Sequence, residues 1–506
     1  MENKKTYYIT TPLYYPSGQW HIGHCYTTVN CDALARYYKT KGYSVLFGTG
    51  TDEHGQKVAQ IAQQKGMDPK AYVDERADNI KHLWKTLGIE YDIFIRTTDE
   101  YHVKAVQHLF DTLYKKGDIY KSVYRGKYCT PCESFWTDSQ LIDGCCPDCK
   151  RTVVDSTEEC YFFALSKYSG QLLDLIENTD FLQPQSRKNE MSKFIKEGLQ
   201  DLAVSRSNVR WGVPVPFDSG HTVYVWIDAL SNYVTMLGFG SSNDKLFKQF
   251  WPANLHMVGK EIVRFHSIIW PAMLFALGLP VPQKVYGHGW FLFGGDKMSK
   301  SKGNVVDPNI LVSRYGVDAF RYYCLREIPF GNDGIYSLEL FIKRINTDLV
   351  NIYGNLVSRT FAMAKQNFDG IVYQKGGQVG EFDSEFLSVI KNTPQLVDSQ
   401  IDVLNMSQAL EYIIDLCVAA NKYIDDTKPW ILAKQQADKL RLQRVLFNLL
   451  VCIKVASELF LPFLIQKPNT VLKALNFQKN TFKLKDLDIL YNRLDLANEL
   501  SILGQS

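Results

Sequence analysis

Thr6-Tyr7-Tyr8-Ile9-Thr10-Thr11, then Pro12-Leu13-Tyr14-Tyr15-Pro16-Ser17-Gly18-Gln19-Trp20-His21-Ile22-Gly23-His24, is the stretch on which the reading of this chain turns. Residues 6–11 have the Tyr, Ile and Thr content of a strand, and the prolines and glycines of 12–23 break it into a loop. Residues 25–41 read as a helix closed by Gly42, and 43–47 as a second strand. Strand, helix and strand within fifty residues make a βαβ crossover. Such a unit implies a parallel sheet with ligands at the carboxyl ends of its strands.

The same loop holds a candidate anion site. His21 and His24 stand three apart at a helix N-terminus, where free N–H groups and the helix dipole favour negative charge. Gly23 between them lets a phosphate-bearing ligand approach the backbone. Alone, the pair reads more readily as a turn with a helix-capping histidine.

Moving outward, helical patterns occupy 68–87 and 100–116. From about 117 to 221, cysteine pairs, Gly–Pro turns and Tyr/Phe-rich strands break the rhythm, and this segment reads as an insertion. Strand and helix alternation resumes at 223–228, with 255–259, 265–277 and 285–288. From about 337 onward the pattern is almost wholly helical, with apolar residues three and four apart. A split α/β domain, an insertion and a C-terminal helical bundle are therefore expected.

At 506 residues the chain has room for several domains and a large core. It is 45% hydrophobic and 22% charged, with 33 glycines and 18 prolines, a globular profile that excludes disordered, collagenous and low-complexity classes. The net charge of +3 excludes a histone-like tail and leaves room for a local basic surface that meets a folded nucleic acid. Lys4 and Lys5 are followed by no apolar run, so no signal peptide is read. Residues 268–282 are too short to span a membrane and contain Pro271 and Pro280. Residues 446–465 carry Lys454 and Glu458 at i,i+4 spacing, then Pro462, and read as a buried helix. A cytoplasmic protein with no membrane partner is expected.

Five of the eleven cysteines fall between 129 and 149, a local cluster that points to a metal and away from a disulfide framework. Cys129-Thr130-Pro131-Cys132 and Cys146-Pro147-Asp148-Cys149 are two C-x-x-C pairs thirteen residues apart, the pattern of a tetrahedral thiolate site for one structural Zn²⁺. Cys145 is an alternative to Cys146, although a knuckle turn favours Cys146 followed by Pro147. A further motif is Gly294-Gly295-Asp296-Lys297-Met298-Ser299-Lys300-Ser301-Lys302-Gly303-Asn304, a glycine-bounded loop bearing three lysines. No Walker-type phosphate loop exists in the chain.

His21-Ile22-Gly23-His24 after a first strand and Lys297-Met298-Ser299-Lys300-Ser301 after a later one resemble the two signatures of class I aminoacyl-tRNA synthetases. The resemblance is closest to the methionyl-tRNA synthetase family. It extends through Thr10-Thr11-Pro12-Leu13-Tyr14-Tyr15, Gly50-Thr51-Asp52-Glu53-His54-Gly55, Ser205-Arg206-Ser207-Asn208-Val209-Arg210-Trp211-Gly212, Tyr224-Val225-Trp226-Ile227-Asp228-Ala229-Leu230, Gly259-Lys260-Glu261-Ile262 and Phe265-His266-Ser267-Ile268-Ile269-Trp270-Pro271.

The resemblance implies an α/β Rossmann-type catalytic domain split by a zinc-knuckle insertion and followed by an α-helical anticodon-binding bundle. The implied bounds are 1–113 and 224–290 for the catalytic halves, 114–223 for the insertion, 291–351 for the lysine-loop and stem-contact domain, and 352–506 for the anticodon-binding domain. It implies that His21 and His24 are catalytic with Lys297 and Lys300, and that Gly23, Lys260, Glu261, Lys297 and Lys300 bind ATP, with Mg²⁺ accompanying the nucleotide. Asp52 would pair with the ammonium of methionine, and Leu13, Tyr15, Trp226, Ala229, Tyr233, His266 and Trp270 would line its side-chain pocket, aromatic walls suiting a thioether. Asn355 and Arg359, at i,i+4 spacing, and much later Asn421-Lys422-Tyr423 and Lys428-Pro429-Trp430 match the family's anticodon-reading set, with Asn355, Arg359 and Trp430 as the implied readers. The partners implied are methionine and tRNA(Met).

Two competing readings are another class I synthetase and a non-catalytic tRNA-binding paralogue. The isoleucine, leucine and valine enzymes carry larger insertions, a cysteine enzyme uses its zinc in the active site, and a paralogue would have lost signature residues. Nothing after about Leu475 has room for an appended dimerising domain, so a monomer is expected.

Overall fold

The computed structural model describes residues 4–130, 134–136, 138, 141–147, 149–207, 209–293, 296–297, 307–328, 331–374 and 379–503. The chain divides into two compact units, one of residues 1–20, 41–85 and 89–290, the other of residues 21–40, 86–88 and 291–506.

In the first unit, strands β1 (Thr6–Thr10), β2 (Ser44–Thr51), β3 (Ile93–Arg96), β4 (Leu182–Gln183), β5 (Leu255–Gly259) and β6 (Val285–His288) form one sheet in the order β3-β2-β1-β5-β6-β4. Every neighbouring pair is parallel, with Ile9 opposite both Phe47 and Leu255. The strand order reverses between β1 and β5, which is where open α/β sheets bind ligands.

β2 runs four residues past the expected 43–47, through Gly48-Thr49-Gly50-Thr51. Glycine weakens an isolated strand, so composition alone stops the reading early. Pairing on both edges holds this one, and the close packing needs glycine: a Cβ at Gly50 would lie 1.9 Å from the Ile95 carbonyl oxygen, and one at Gly48 would lie 2.4 Å from the Met236 sulfur.

Residues 223–228 hold the end of strand Asp218–Val223 and the first turn of helix Val225–Thr235. That helix shares one buried apolar cluster with helices Glu100–Lys115 and Trp270–Leu277 through Val106, Phe110, Leu230, Val234, Met273 and Trp270. The segment read as an insertion builds an antiparallel sheet in the order Ser134–Trp136, Ile119–Cys129, Val154–Phe163, Leu202–Ala203. The same segment supplies β4, which completes the parallel sheet against β6.

In the second unit, helix Ile22–Thr40 begins three residues earlier than expected, so His21 immediately precedes it and Gly23 and His24 lie in its first turn. Its Asp32 is fully buried and receives Arg36 Nε at 2.7 Å and Arg321 Nη2 at 2.6 Å. Arg321, also fully buried, donates its Nε to the Phe463 carbonyl at 2.9 Å. A buried ion pair persists only when its remaining donors are satisfied in this way.

Strands Phe291–Phe293, Asp296–Lys297 and Gly334–Tyr336 form a small sheet. Beyond it, helices Asn355–Phe368, Asp383–Asp402, Met406–Thr427, Lys439–Phe460 and Lys467–Leu475 enclose a core that includes Leu410, Ile413, Leu449, Leu450 and Ile453. The region is not wholly helical: Ile371–Tyr373, Thr481–Lys483 and Phe477–Gln478 pair as three short antiparallel strands. Lys454 and Glu458 do pair on one helix face, at 2.6 Å. No helix of the described residues is long and apolar enough to cross a membrane.

Candidate active site

Five of the residues singled out in the first unit stand just past the carboxyl ends of its parallel strands. Leu13 and Tyr15 follow β1, Asp52 follows β2, and Lys260 and Glu261 follow β5. Backbone hydrogen bonds zip the first two loops together: Tyr14 N–H donates to the Gly50 carbonyl at 3.0 Å and Asp52 N–H to the Tyr14 carbonyl at 3.1 Å. Lys260 Nζ stands 4.1 Å from the Trp290 ring centroid, and the Trp290 indole donates to Glu261 Oε2 at 2.6 Å. Trp290 follows β6 and carries no distinguishing local pattern, so the sequence reading missed it.

Helix Val225–Thr235 and the π-turn Phe265–Ile269 carry Trp226, Ala229, Tyr233 and His266, four of the residues expected to line the side-chain pocket. Trp226, Ala229 and Tyr233 are spaced three and four apart and so share one helix face. The Tyr233 hydroxyl and His266 Nε2 are 2.7 Å apart, and His266 Nδ1 lies 2.9 Å from the Ile262 carbonyl. A carbonyl only accepts, so Nδ1 carries the proton and Nε2 accepts from Tyr233. Burial pushes the His266 imidazole down to about 4, so it is neutral near pH 7. Trp270 is fully buried with its ring centroid 5.9 Å from that of Tyr233, and Trp226 stacks on Phe265 at 3.7 Å and meets His266 edge-on at 6.4 Å. The result is an aromatic cluster around a neutral imidazole.

The buried His266 imidazole has a consequence for acid stability. The folded pKa of His266 lies below its ordinary 6.5, so the unfolded chain takes up the proton first as pH falls. Stability is full above about 6.5 and is lost toward about 4, by up to about 3 kcal/mol. Urea titrations of wild type and His266→Gln between pH 7 and 4.5 check this. The variant is expected to lose less stability on acidification, and parallel losses would show that His266 is not responsible.

The loop that carries Asp52 is held from two sides. Glu53 is fully buried and accepts Arg96 Nε at 2.6 Å and Arg96 Nη2 at 2.8 Å, with the Thr51 hydroxyl at 2.6 Å. His54 Nδ1 lies 2.7 Å from Asp228 Oδ2, and His102 Nε2 lies 2.8 Å from Asp228 Oδ1. Burial raises the Asp228 carboxyl, but the two histidines outweigh it and hold it below the usual carboxylate range. Glu53, His54 and Asp228 stand inside stretches quoted above, yet their partners lie far off in sequence and no local signal announces them. Arg206, also missed, lies over the Tyr224 ring at 4.3 Å and lines a cleft with His54, Trp211 and Tyr224.

In the second unit, the His21 and His24 rings lie 4.0 Å apart, and the Gly23 N–H donates to His21 Nδ1 at 3.1 Å. A Cβ on Gly23 would sit 2.9 Å from His21 Cε1, so the glycine is needed for this close approach. Lys297 ends the short strand Asp296–Lys297; its side chain, and the whole of Lys300, lie outside the described residues. Asn355, Arg359 and Trp430 are all exposed. Arg359 Nη2 approaches Asp425 Oδ1 at 3.7 Å, near the end of helix Met406–Thr427, and Trp430 follows on the next turn of chain. Asn421 instead donates to the Ile352 and Cys417 carbonyls.

The thiol sulfurs of Cys129, Cys146 and Cys149 all lie within 4.8 Å of one another, with Cys129 and Cys149 at 3.5 Å. That is too long for a disulfide and close to the sulfur spacing about a tetrahedral Zn²⁺. Cys145 is not in the group. Cys132 lies outside the described residues.

A parallel sheet with its loops at a switch point, a histidine pair opening a helix, and a helical C-terminal region together define a class I aminoacyl-tRNA synthetase. The family model described as tRNA synthetases class I (M) matches residues 7–160 and 150–361, and that for the anticodon binding domain of methionyl tRNA ligase matches 374–502. The chain is 55% identical over 515 aligned residues to the methionine–tRNA ligase of Caldanaerobacter subterraneus subsp. tengcongensis, covering 99% of this chain and 81% of that protein. It is 47% identical to the Bacillus subtilis methionine–tRNA ligase, covering 97% and 76% respectively. The structure of Mycobacterium tuberculosis methionyl-tRNA synthetase in complex with methionyl-adenylate superposes with a TM-score of 0.92 at 38% identity, covering 97% of this chain and 100% of that one. The chain belongs to the methionyl-tRNA synthetase family, and its activity is the ATP-dependent ligation of methionine to tRNA.

Proposed function

We propose the following roles for named residues in that reaction. Asp52 pairs with the ammonium of methionine. Leu13, Tyr15, Trp226, Ala229, Tyr233, His266 and Trp270 enclose the thioether. The observation that carries this assignment is the neutral Tyr233–His266 pair, walled by aromatics, at the carboxyl ends of the parallel strands. Such a pocket offers no counter-charge to a basic or acidic side chain, and its ring edges suit sulfur.

The carboxylate of methionine is itself the nucleophile. It bonds to the α-phosphorus of ATP as the bond to pyrophosphate breaks, so no protein base is required. His21, Gly23 and His24 receive ATP phosphates at the start of helix Ile22–Thr40, and Lys260 and Glu261 contribute to nucleotide binding. Lys297 and Lys300 stabilise charge on the departing pyrophosphate. ATP enters as its Mg²⁺ complex. The terminal ribose hydroxyl of tRNA(Met) then bonds to the carbonyl carbon of methionyl-adenylate as the acyl–phosphate bond breaks and AMP leaves, while Asn355, Arg359 and Trp430 read the anticodon. The domain bounds proposed are 1–113 and 224–290 catalytic, 114–223 insertion, 291–351 lysine loop and stem contact, and 352–506 anticodon-binding, in a cytoplasmic enzyme. ATP–pyrophosphate exchange tests the substrate assignment: methionine should support it, leucine and cysteine should not, and exchange driven equally by either of those would refute the pocket.

One Zn²⁺ per chain is held by Cys129, Cys132, Cys146 and Cys149. Four thiolates leave no open position for chemistry, so the ion is structural. Metal analysis should return one zinc per chain, retained in Cys145→Ser and lost in Cys146→Ser. Zero or two ions, or the reverse pattern in the two variants, would refute the set.

A further inference from the structure

Helix Val225–Thr235 presents two faces with different tasks. Trp226, Ala229 and Tyr233 share the pocket face, while Asp228 and Thr235, seven apart, share another. Asp228 Oδ1 and the Thr235 hydroxyl both engage one imidazole, His102, at its Nε2 and Nδ1 respectively, at 2.8 and 2.7 Å. The second oxygen of Asp228 reaches His54 Nδ1 at 2.7 Å. His54 lies two residues beyond Asp52 on the same short loop. His102 is fully buried, Asp228 is 1% exposed and His54 6%.

The loop's other buried anchor faces away from this helix. Glu53 binds Arg96 at the end of β3, and the Glu53 N–H donates to the Thr97 hydroxyl at 2.9 Å. Glu53 therefore ties the Asp52 loop to the sheet, and His54 ties it to the helix that carries the pocket walls. The Asp228–His54 bond is a direct side-chain link between these two recognition elements.

We propose that the His54–Asp228–His102 cluster is a ruler that sets the distance between the ammonium site at Asp52 and the side-chain pocket on helix Val225–Thr235. Asp228 and its two histidines are thus positioning residues for methionine. The inference rests on the reading of Asp52 as the ammonium partner. An amino acid with both groups profits from the correct distance, whereas a ligand lacking the ammonium is insensitive to it.

The experiment compares binding of methionine and of 4-(methylsulfanyl)butanoate, its analogue without the amine, by calorimetric titration of the full chain. In Asp228→Asn the dissociation constant of methionine is expected to rise about 10- to 100-fold, the range for a displaced hydrogen bond to a charged group. That of the analogue should stay within about twofold. His54→Leu should behave like Asp228→Asn. His54→Asn keeps a donor near the Nδ1 position and should bind methionine almost as wild type does. This rescue also decides the matter should Asp228→Asn not fold. Equal losses for both ligands, no loss for either, or a His54→Asn variant as weak as His54→Leu would overturn the ruler. Asp52→Asn, titrated alongside, separates the two layers of the argument. If it binds methionine normally, the ammonium reading itself falls and the ruler with it. If it loses methionine selectively while Asp228→Asn does not, the ruler alone is wrong.

Discussion

Lys300→Ala is expected to slow methionyl-adenylate formation by about two to three orders of magnitude, with methionine affinity near that of wild type. Two to three decades correspond to about 3–4 kcal/mol of transition-state stabilisation. A single cation aimed at developing phosphate charge supplies an amount of that size when water is largely excluded. In the proposed role the contact would strengthen as negative charge accumulates on the departing pyrophosphate, so its loss should lower the rate of the step more than the affinity for the ground state. Single-turnover adenylate formation at saturating ATP and methionine, followed by rapid quench, is the appropriate measurement. An unchanged rate would remove the lysine loop from the mechanism. A rate that recovers at high ATP would make Lys300 a ground-state binding residue instead.

Trp430→Ala should raise the tRNA concentration required for aminoacylation by about one to two orders of magnitude and leave ATP–pyrophosphate exchange intact. Lys428 takes a left-handed conformation that ends helix Met406–Thr427, and Pro429 opens a single turn that leaves Trp430 45% exposed. An exposed tryptophan is costly to leave in water and well suited to stack an unstacked base, a contact worth about 1–3 kcal/mol. Asn355 and Arg359 are exposed one turn apart on helix Asn355–Phe368 and, in the proposed reading, offer donors and an acceptor to base edges. Both reactions should be measured on one preparation. Parallel loss of exchange and aminoacylation would mean that Trp430 supports the fold, and the anticodon assignment would fail.

Part of the candidate site was legible because its signals are local. His21, Gly23 and His24 stand within one helical turn, so their spacing already encodes their geometry, and the ring contact at 4.0 Å follows from it. Cys129, Cys146 and Cys149 likewise converge, as the cysteine spacing suggests. Helix Lys439–Phe460 was legible from apolar periodicity and from the Lys454–Glu458 spacing, since both depend only on residues within two turns.

Other features depend on neighbours that the local pattern does not contain. Gly48 to Thr51 extend β2 because β1 and β3 pair with it, and the glycines that argue against a strand are needed for the approach of Ile95 and Met236. The strand Leu182–Gln183 is two residues long and exists only as a ladder on β6. The short strands at 371–373, 477–478 and 481–483 are equally dependent on one another across about a hundred residues of chain. Asp228 meets His102 and His54 across sequence separations of 126 and 174. What the sequence by itself determined is the family, its two signatures, the cysteine pairs and the helical periodicity, because short-range spacing dictates each. Tertiary structure alone decided the extent of β2, the edge strand, the neutral form of His266 and the anchoring of the Asp52 loop. The physical reason is that burial and hydrogen-bond partners are properties of packed surroundings, which distant segments assemble.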